Sequence, residues 1–216
     1  HSCRSCVNFC SVLLLAALPG CGGMPPEPVD GVKPAEVAPV AVVPGQTATD
    51  NMQADALAFQ RALALMRAQR YAQALVIWQS LADSSGDSVL ALLNLGITYS
   101  RLGALAEAGT SFHLVLQRDP SNAIAYNELG IVERRQGRFE QAEISYRRAL
   151  ELRPDYAPAH LNLGILCDLY LQNADCAMHH YQAYRKVAGT GGAPVGLWIK
   201  DLAWRYPERQ VESIGE

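Results

Sequence analysis

Cys176, His179 and His180 fall at i, i+3 and i+4, a spacing that on a helix puts a thiol and two imidazoles on one face and could seat a zinc ion. The plainer reading is a histidine pair at the edge of a helix, so no metal or other cofactor is expected. Cys176 has a second possible chemistry with Cys167. Across a tight helical hairpin these two could form a disulfide in an oxidising compartment, or remain two small thiols in a helix seam. The chain has no GxSxG, no phosphate loop and no HExxH, and no enzymatic activity is expected from it.

The elements that must position these residues announce themselves by recurrence. NLGI occupies 94–97, ELGI 128–131 and NLGI again 162–165. Gly96, Gly130 and Gly164 are 34 apart, and so are Ala74, Ala108 and Ala142, the aromatics Trp78, Phe112 and Tyr146, and the pair Pro120 and Pro154. A fixed period of this length means stacked copies of one supersecondary unit. Within one copy, Tyr126, Leu129, Ile131 and Val132 mark an apolar helix face that Gly137 stops. Phe139, Ala142, Tyr146, Ala149 and Leu150 mark a second, which Pro154 closes. Each unit is therefore two antiparallel helices. Gly130 in mid-helix costs about 1 kcal/mol relative to Ala, so its return at one phase implies a packing reason. The expected geometry sets Gly130 against Ala142, with Tyr146 filling the space one turn further on. His160 stands where the preceding copies carry Leu92 and Tyr126, and reads as a packing residue.

The pattern Leu129-Gly130, Ala142, Tyr146, Ala149, Pro154, with the same offsets in Leu95-Gly96, Ala108, Phe112, Val115, Pro120, resembles the tetratricopeptide repeat family. The resemblance implies an all-α fold, a right-handed superhelix of about four helix-turn-helix repeats (about 55–88, 89–122, 123–156 and 157–191, together 52–191). After a Gly-rich break, Pro194 stands at a helix start, which reads as a capping helix at 192–206 before a tail at 207–216, the alternative being a loose tail. The first unit departs from the pattern with Ala62 in place of Gly and no closing Pro. The fourth runs Ala177, Tyr181, Tyr184, one residue late, which places an extra residue in the turn around Leu171–Ala174. Val195, Trp198, Ile199 and Leu202 share one face of the capping helix.

The resemblance also implies that the first helices line a concave groove that binds a protein or peptide. Its positions here are Leu93, Asn94, Ile97 and Arg101, then Asn127, Glu128, Ile131 and Arg134, then Leu161, Asn162, Ile165 and Asp168. Asn amides can pair with both N–H and C=O of a peptide backbone, so Asn94, Asn127 and Asn162 are expected to project into that surface. Leu93 and Asn127 stand where the chaperone-binding members carry a Lys, which argues against a chaperone-tail clamp.

Residues 1–20 read as a signal peptide: Arg4 is its positive region and Val12–Leu18 its short apolar stretch, too short to span a bilayer. Leu18-Pro19-Gly20-Cys21 resembles a bacterial lipobox, which implies a lipid on Cys21; the alternative is an ordinary signal peptide with a chance Cys. Cys3, Cys6 and Cys10 would leave with the signal. The proline-rich stretch within 21–51 has no helical period and reads as an extended linker. Gly22, where an Asp often retains such proteins at the inner membrane, points to the outer membrane, periplasmic face.

Net charge is −3, Arg is scattered over helix faces and Lys occurs only at 33, 186 and 200, which excludes a nucleic-acid footprint and a polybasic membrane patch. The expected function is a lipid-anchored periplasmic adaptor assisting assembly of an envelope machine, similar to pilotin-type lipoproteins of pilus biogenesis. The alternative is a scaffold recruiting a peptidoglycan hydrolase or protease; a metal-dependent enzyme is a distant third.

Overall fold

Helix follows helix with short turns throughout the described residues, which in the computed structural model are 48–84, 88–189 and 194–207. Among them are α1 (Ala48–Arg67), α2 (Tyr71–Ser84), α3 (Val89–Leu102), α4 (Leu105–Arg118), α5 (Ala123–Arg135), α6 (Phe139–Leu152), α7 (Ala157–Leu169), α8 (Ala174–Ala188) and α9 (Val195–Arg205). The signal segment, Cys21 and most of the expected linker lie outside the described residues. The first helix begins at Ala48, inside the stretch expected as linker to residue 51.

Local chemistry sets the helix ends. Ser88, Asn122 and Asn173 each cap a helix by accepting from a backbone N–H three residues on, at 3.2, 3.0 and 3.1 Å. Gly103 and Gly137 turn the chain with φ of 85° and 76°, the left-handed region that glycine adopts freely. In the α1–α2 and α7–α8 turns that conformation falls instead to Gln69 and Gln172.

Consecutive helices pair as antiparallel hairpins, α1 with α2 through α7 with α8, and α9 packs on α8. The seam within each hairpin corrects one detail of the sequence reading. It is the aromatic ring, not Ala142, that lies on the glycine. A Cβ on Gly130 would sit 2.6 Å from Tyr146 Cε1, one on Gly96 2.7 Å from Phe112 Cε1, and one on Gly164 2.6 Å from Tyr181 Cδ1. A bare Cα face thus admits a flat ring between two backbones, and the ring seals the seam. The longer α7–α8 turn, residues 170–173, shifts the ring partner of Gly164 to Tyr181.

The rings centre three successive hydrophobic clusters along the stack. Trp78 centres one end with Ala62 and Leu95, and Phe112 the middle with Leu92, Leu93 and Leu129. Tyr146 and Tyr181 form the other end with Leu163 and Leu166. There α9 buries Val195 and Leu202 and sets Trp198 against the Tyr181 ring, centroids 5.4 Å apart. Cys167 and Cys176 are joined by a disulfide across the α7–α8 hairpin, their Cα atoms 5.8 Å apart.

Candidate peptide-binding groove

Successive first helices touch, α3 with α5 and α5 with α7, whereas no two second helices contact each other to that extent. The first helices therefore form the tighter, inner layer, and their free sides share one surface. On α3, Leu90 is 59% exposed, Asn94 and Ile97 are half-buried and Arg101 is exposed. On α5, Glu128, Ile131 and Arg134 are half-buried. On α7, Leu161, Asn162 and Ile165 are half-buried and Leu169 is 65% exposed. Towards α1 the surface deepens into a cleft of about 410 Å³ lined by Asp55, Phe59, Leu81 and Leu90.

Three expected groove residues are not available to a partner. Leu93 is buried in the core beside Phe112 and Leu129. Asn127 is 1% exposed; it accepts from Asn162 Nδ2 at 2.9 Å and donates to Glu128 at 3.2 Å. The physical reason is lateral packing. A helix flanked on both sides presents this position to its neighbour, and the two amides satisfy each other across the seam. Asp168, its side chain 7% exposed, accepts from Arg205 Nη2 of α9 at 2.8 Å and from the Tyr181 hydroxyl at 3.2 Å. Asn94 spends its Nδ2 on the Leu90 carbonyl of its own helix, at 2.8 Å. The three Asn side chains thus do not form the expected row.

Leu90, Leu169 and Tyr170 belong to the surface and were not read from the sequence. The two leucines were within reach: 90, 94, 97 and 101, like 162, 165 and 169, follow helical spacing along one face. Tyr170, in the α7–α8 turn, had no periodic signal.

The surface is electrostatically mixed. Burial pushes the Glu128 carboxyl up, opposed by the Arg101 charge and the Asn127 amide. Arg135 leaves the surface to cap α3, donating to the Ser100 carbonyl at 2.5 Å. The opposite face carries clefts as well, of about 530 Å³ beside Tyr99 and Leu114 and about 470 Å³ beside Ile144.

The thiol of the expected Cys-His-His cluster is already taken. Cys176 is bonded to Cys167, and among the described residues no group of three or more His, Cys, Asp or Glu could hold a metal. His180 turns to His160 instead, Nδ1 to Nδ1 at 3.0 Å. His160 Nε2 faces the Pro154 carbonyl at 2.9 Å, so it carries the proton, its Nδ1 accepts, and His180 Nδ1 donates. Burial first, then the charges His179, His160 and Arg147 would present, lowers the His180 pKa to about 4. A folded-state value below the unfolded one means the unfolded chain binds more protons, so stability is full above about pH 6.5 and is lost as pH falls towards 4. For this half-buried ring, screening discounts the loss to about 1–2 kcal/mol. Urea melts at pH 7 and pH 4.5 should show it, and His180→Phe should lose less over that interval than wild type; equal losses would assign the acid sensitivity elsewhere.

Residues 87–155 match the family described as tetratricopeptide repeat. No curated protein matches the chain. Among solved structures it is similar to pilF of Pseudomonas aeruginosa, at 21% identity and TM-score 0.65 over 73% of this chain and 71% of that one. It is similar to MamA 41-end from Desulfovibrio magneticus RS-1, at 18% identity and TM-score 0.61 over 74% and 89%. It is also similar to the first TPR of Spaghetti (RPAP3) bound to the HSP90 peptide SRMEEVD, at 19% identity and TM-score 0.52 over 55% and 93%. At such identities the likeness is one of fold.

Proposed function

We propose, from the match of residues 87–155 to the tetratricopeptide repeat family, that the chain is an adaptor whose inner surface binds a peptide segment of a protein partner. The observation that carries the proposal is the accessible apolar stripe on three successive first helices, from Leu90 and Ile97 through Ile131 to Ile165 and Leu169. Monomeric surfaces seldom leave such a stripe uncovered without a partner for it. A similar fold holds a peptide in the RPAP3 complex, and a segment laid along the stripe would be recognised as a helix or extended strand. Action is by binding, with no catalytic step.

The test exchanges residues that are already exposed, so the fold should tolerate them. Leu90→Glu with Leu169→Glu marks the inner face, and Ile144→Glu, at a position 68% exposed, marks the outer one. With partners captured on the wild type from solubilised membranes and identified by mass, the inner-face pair should reduce capture of the same partner by at least about tenfold, roughly 1.4 kcal/mol. The outer-face variant should retain it. The reverse outcome would move the site to the outer clefts.

The further proposal is that the adaptor is lipid-anchored through Cys21 to the periplasmic face of the outer membrane and assists assembly of an envelope machine of pilus or secretion type. The lipobox-like Leu18–Cys21 supports it, and the Cys167–Cys176 bridge suits an oxidising compartment. Cys21→Ser should leave a protein that no longer partitions into the detergent phase of a Triton X-114 extract. Identical partitioning of wild type and variant would remove the anchor from the proposal.

A further inference from the structure

Arg134 sits on the last turn of α5 without a carboxylate. Each of the other arginines around the groove has an acidic or carbonyl partner: Arg101 feels Glu128, Arg135 donates to Ser100, and Arg205 pairs with Asp168 and Asp201. Arg134 has phenols instead. Its Nη1 is 3.5 Å from the Tyr170 hydroxyl and its guanidinium carbon 5.8 Å from the Tyr170 ring centroid, and the Tyr146 hydroxyl lies against it from below.

What this cluster lacks is an acceptor. Arg134 Nε and the Tyr146 hydroxyl oxygen are both shut off from water, and neither completes a hydrogen bond of acceptable geometry. They are near enough for the guanidinium charge to act on the phenol, whose pKa burial pushes up to about 12, yet they are not aligned as donor and acceptor. A guanidinium has only donors, and Tyr146 already faces those donors, so its own proton has nowhere to go. Leaving such groups dry and unpaired is unfavourable. The guanidinium above them still has N–H groups turned to the surface, and a ligand that brings an acceptor would meet those.

Resting on the inner-surface reading, we propose that Arg134 and Tyr170, over the buried Tyr146 phenol, form a specificity site for a carboxylate side chain, Glu or Asp, within the bound segment. A carboxylate is acceptor-only and presents two oxygens, so it can take an Arg134 N–H and the O–H of the accessible Tyr170 beside it together, while the Tyr146 phenol stays sealed beneath. Apolar surface continues on both sides of the site, with Ile131 one turn back on α5 and Leu169 beside Tyr170. That continuity suits an acidic residue between apolar neighbours. A chain-terminal carboxylate would draw on the amides of Asn127 and Asn162, and these already bond to each other.

The experiment uses short acetylated, amidated peptides that alternate Leu with Glu, Gln or Lys, plus the Gln peptide with a free C-terminus, read by fluorescence anisotropy against the mature protein. The Glu peptide should bind about tenfold or more tighter than the Gln peptide, with the preference shrinking as salt rises. Arg134→Gln should abolish the preference, read as the ratio of Glu-peptide to Gln-peptide affinity within that variant, and Arg134→Lys should restore only part of it, because an ammonium lacks the planar fork. Melting curves show that each variant is folded. A Glu preference that persists in Arg134→Gln overturns the assignment. If the free-acid Gln peptide matches the Glu peptide, the ligand is a chain end, and the side-chain proposal falls. Binding of every peptide regardless of charge keeps the inner surface as a binding site but removes the carboxylate; binding of none removes both.

Discussion

Gly130→Ala should melt below wild type, against the ordinary rule that Ala for Gly inside a helix gains about 1 kcal/mol. The added Cβ would stand 2.6 and 2.7 Å from two Tyr146 ring carbons, closer than any real contact. The ring cannot swing clear. Tyr146 is fully buried, and its cluster includes Ala142, Leu163 and Leu166. The seam must therefore open, at a cost of about 1–3 kcal/mol for Ala and more for Gly130→Leu, whose branched side chain has no space at all. Two glycines supply internal controls of opposite sign. A Cβ on Gly196 in α9 meets nothing within 4 Å, and one on Gly109 in α4 meets only Val132 Cγ1 at 3.9 Å. Gly196→Ala and Gly109→Ala should raise stability by roughly 0.5–1 kcal/mol. Urea denaturation of the four variants decides the matter: a more stable Gly130→Ala would show that the ring yields and that the glycine is kept for another reason.

This seam also shows what the sequence could carry. Gly130 and Tyr146 recur because every hairpin must solve the same local problem, so their spacing writes the solution out at a fixed period. The extra residue of the fourth unit was legible for the same reason, and it lies in the α7–α8 turn where Gln172 takes φ 52°. The inner surface was less legible. Helical phase says which residues share a face, but not which neighbour that face meets. Asn127 and Leu90 both belong to first-helix faces directed inward, yet one is sealed between α5 and α7 and the other is open. That difference arises from how closely successive first helices approach, which is a property of the stack. Asp168 was misplaced for a related reason. Its partner Arg205 lies beyond the repeats, where no period connects the two. Arg134 was placed in the groove by the family resemblance; the phenols of Tyr146 and Tyr170 that define its surroundings come from two other segments.

Reduction of the Cys167–Cys176 bridge should cost about 2–3 kcal/mol, from the chain entropy released in the unfolded state when a loop of this separation, 9 residues, is no longer closed. The location makes the native state feel it too. Cys167 is fully buried on α7, and the next residue, Asp168, holds Arg205 of α9 and the Tyr181 hydroxyl. On the other side, Asn173 caps α8 by accepting from the Cys176 N–H. The bridge thus pins a turn whose left-handed Gln172 is otherwise an unfavourable residue for its conformation. For a chain of this size the loss corresponds to a fall in Tm of roughly 5–10 °C, seen on adding reductant or in Cys176→Ser. Peptide mapping without reduction gives the independent check, because a bonded pair releases one linked fragment that splits on reduction. The far end of the stack supplies the contrast: Trp78 and its neighbours contact neither cysteine, and hydrogen exchange in α2 should be slowed or hastened by reduction far less than in α8 and α9. Uniform loss of protection from α2 to α9 would mean that the repeats unfold as one unit and that the bridge acts only through the unfolded chain. Unchanged Tm in both the reduced protein and Cys176→Ser would leave the bridge without a stabilising role.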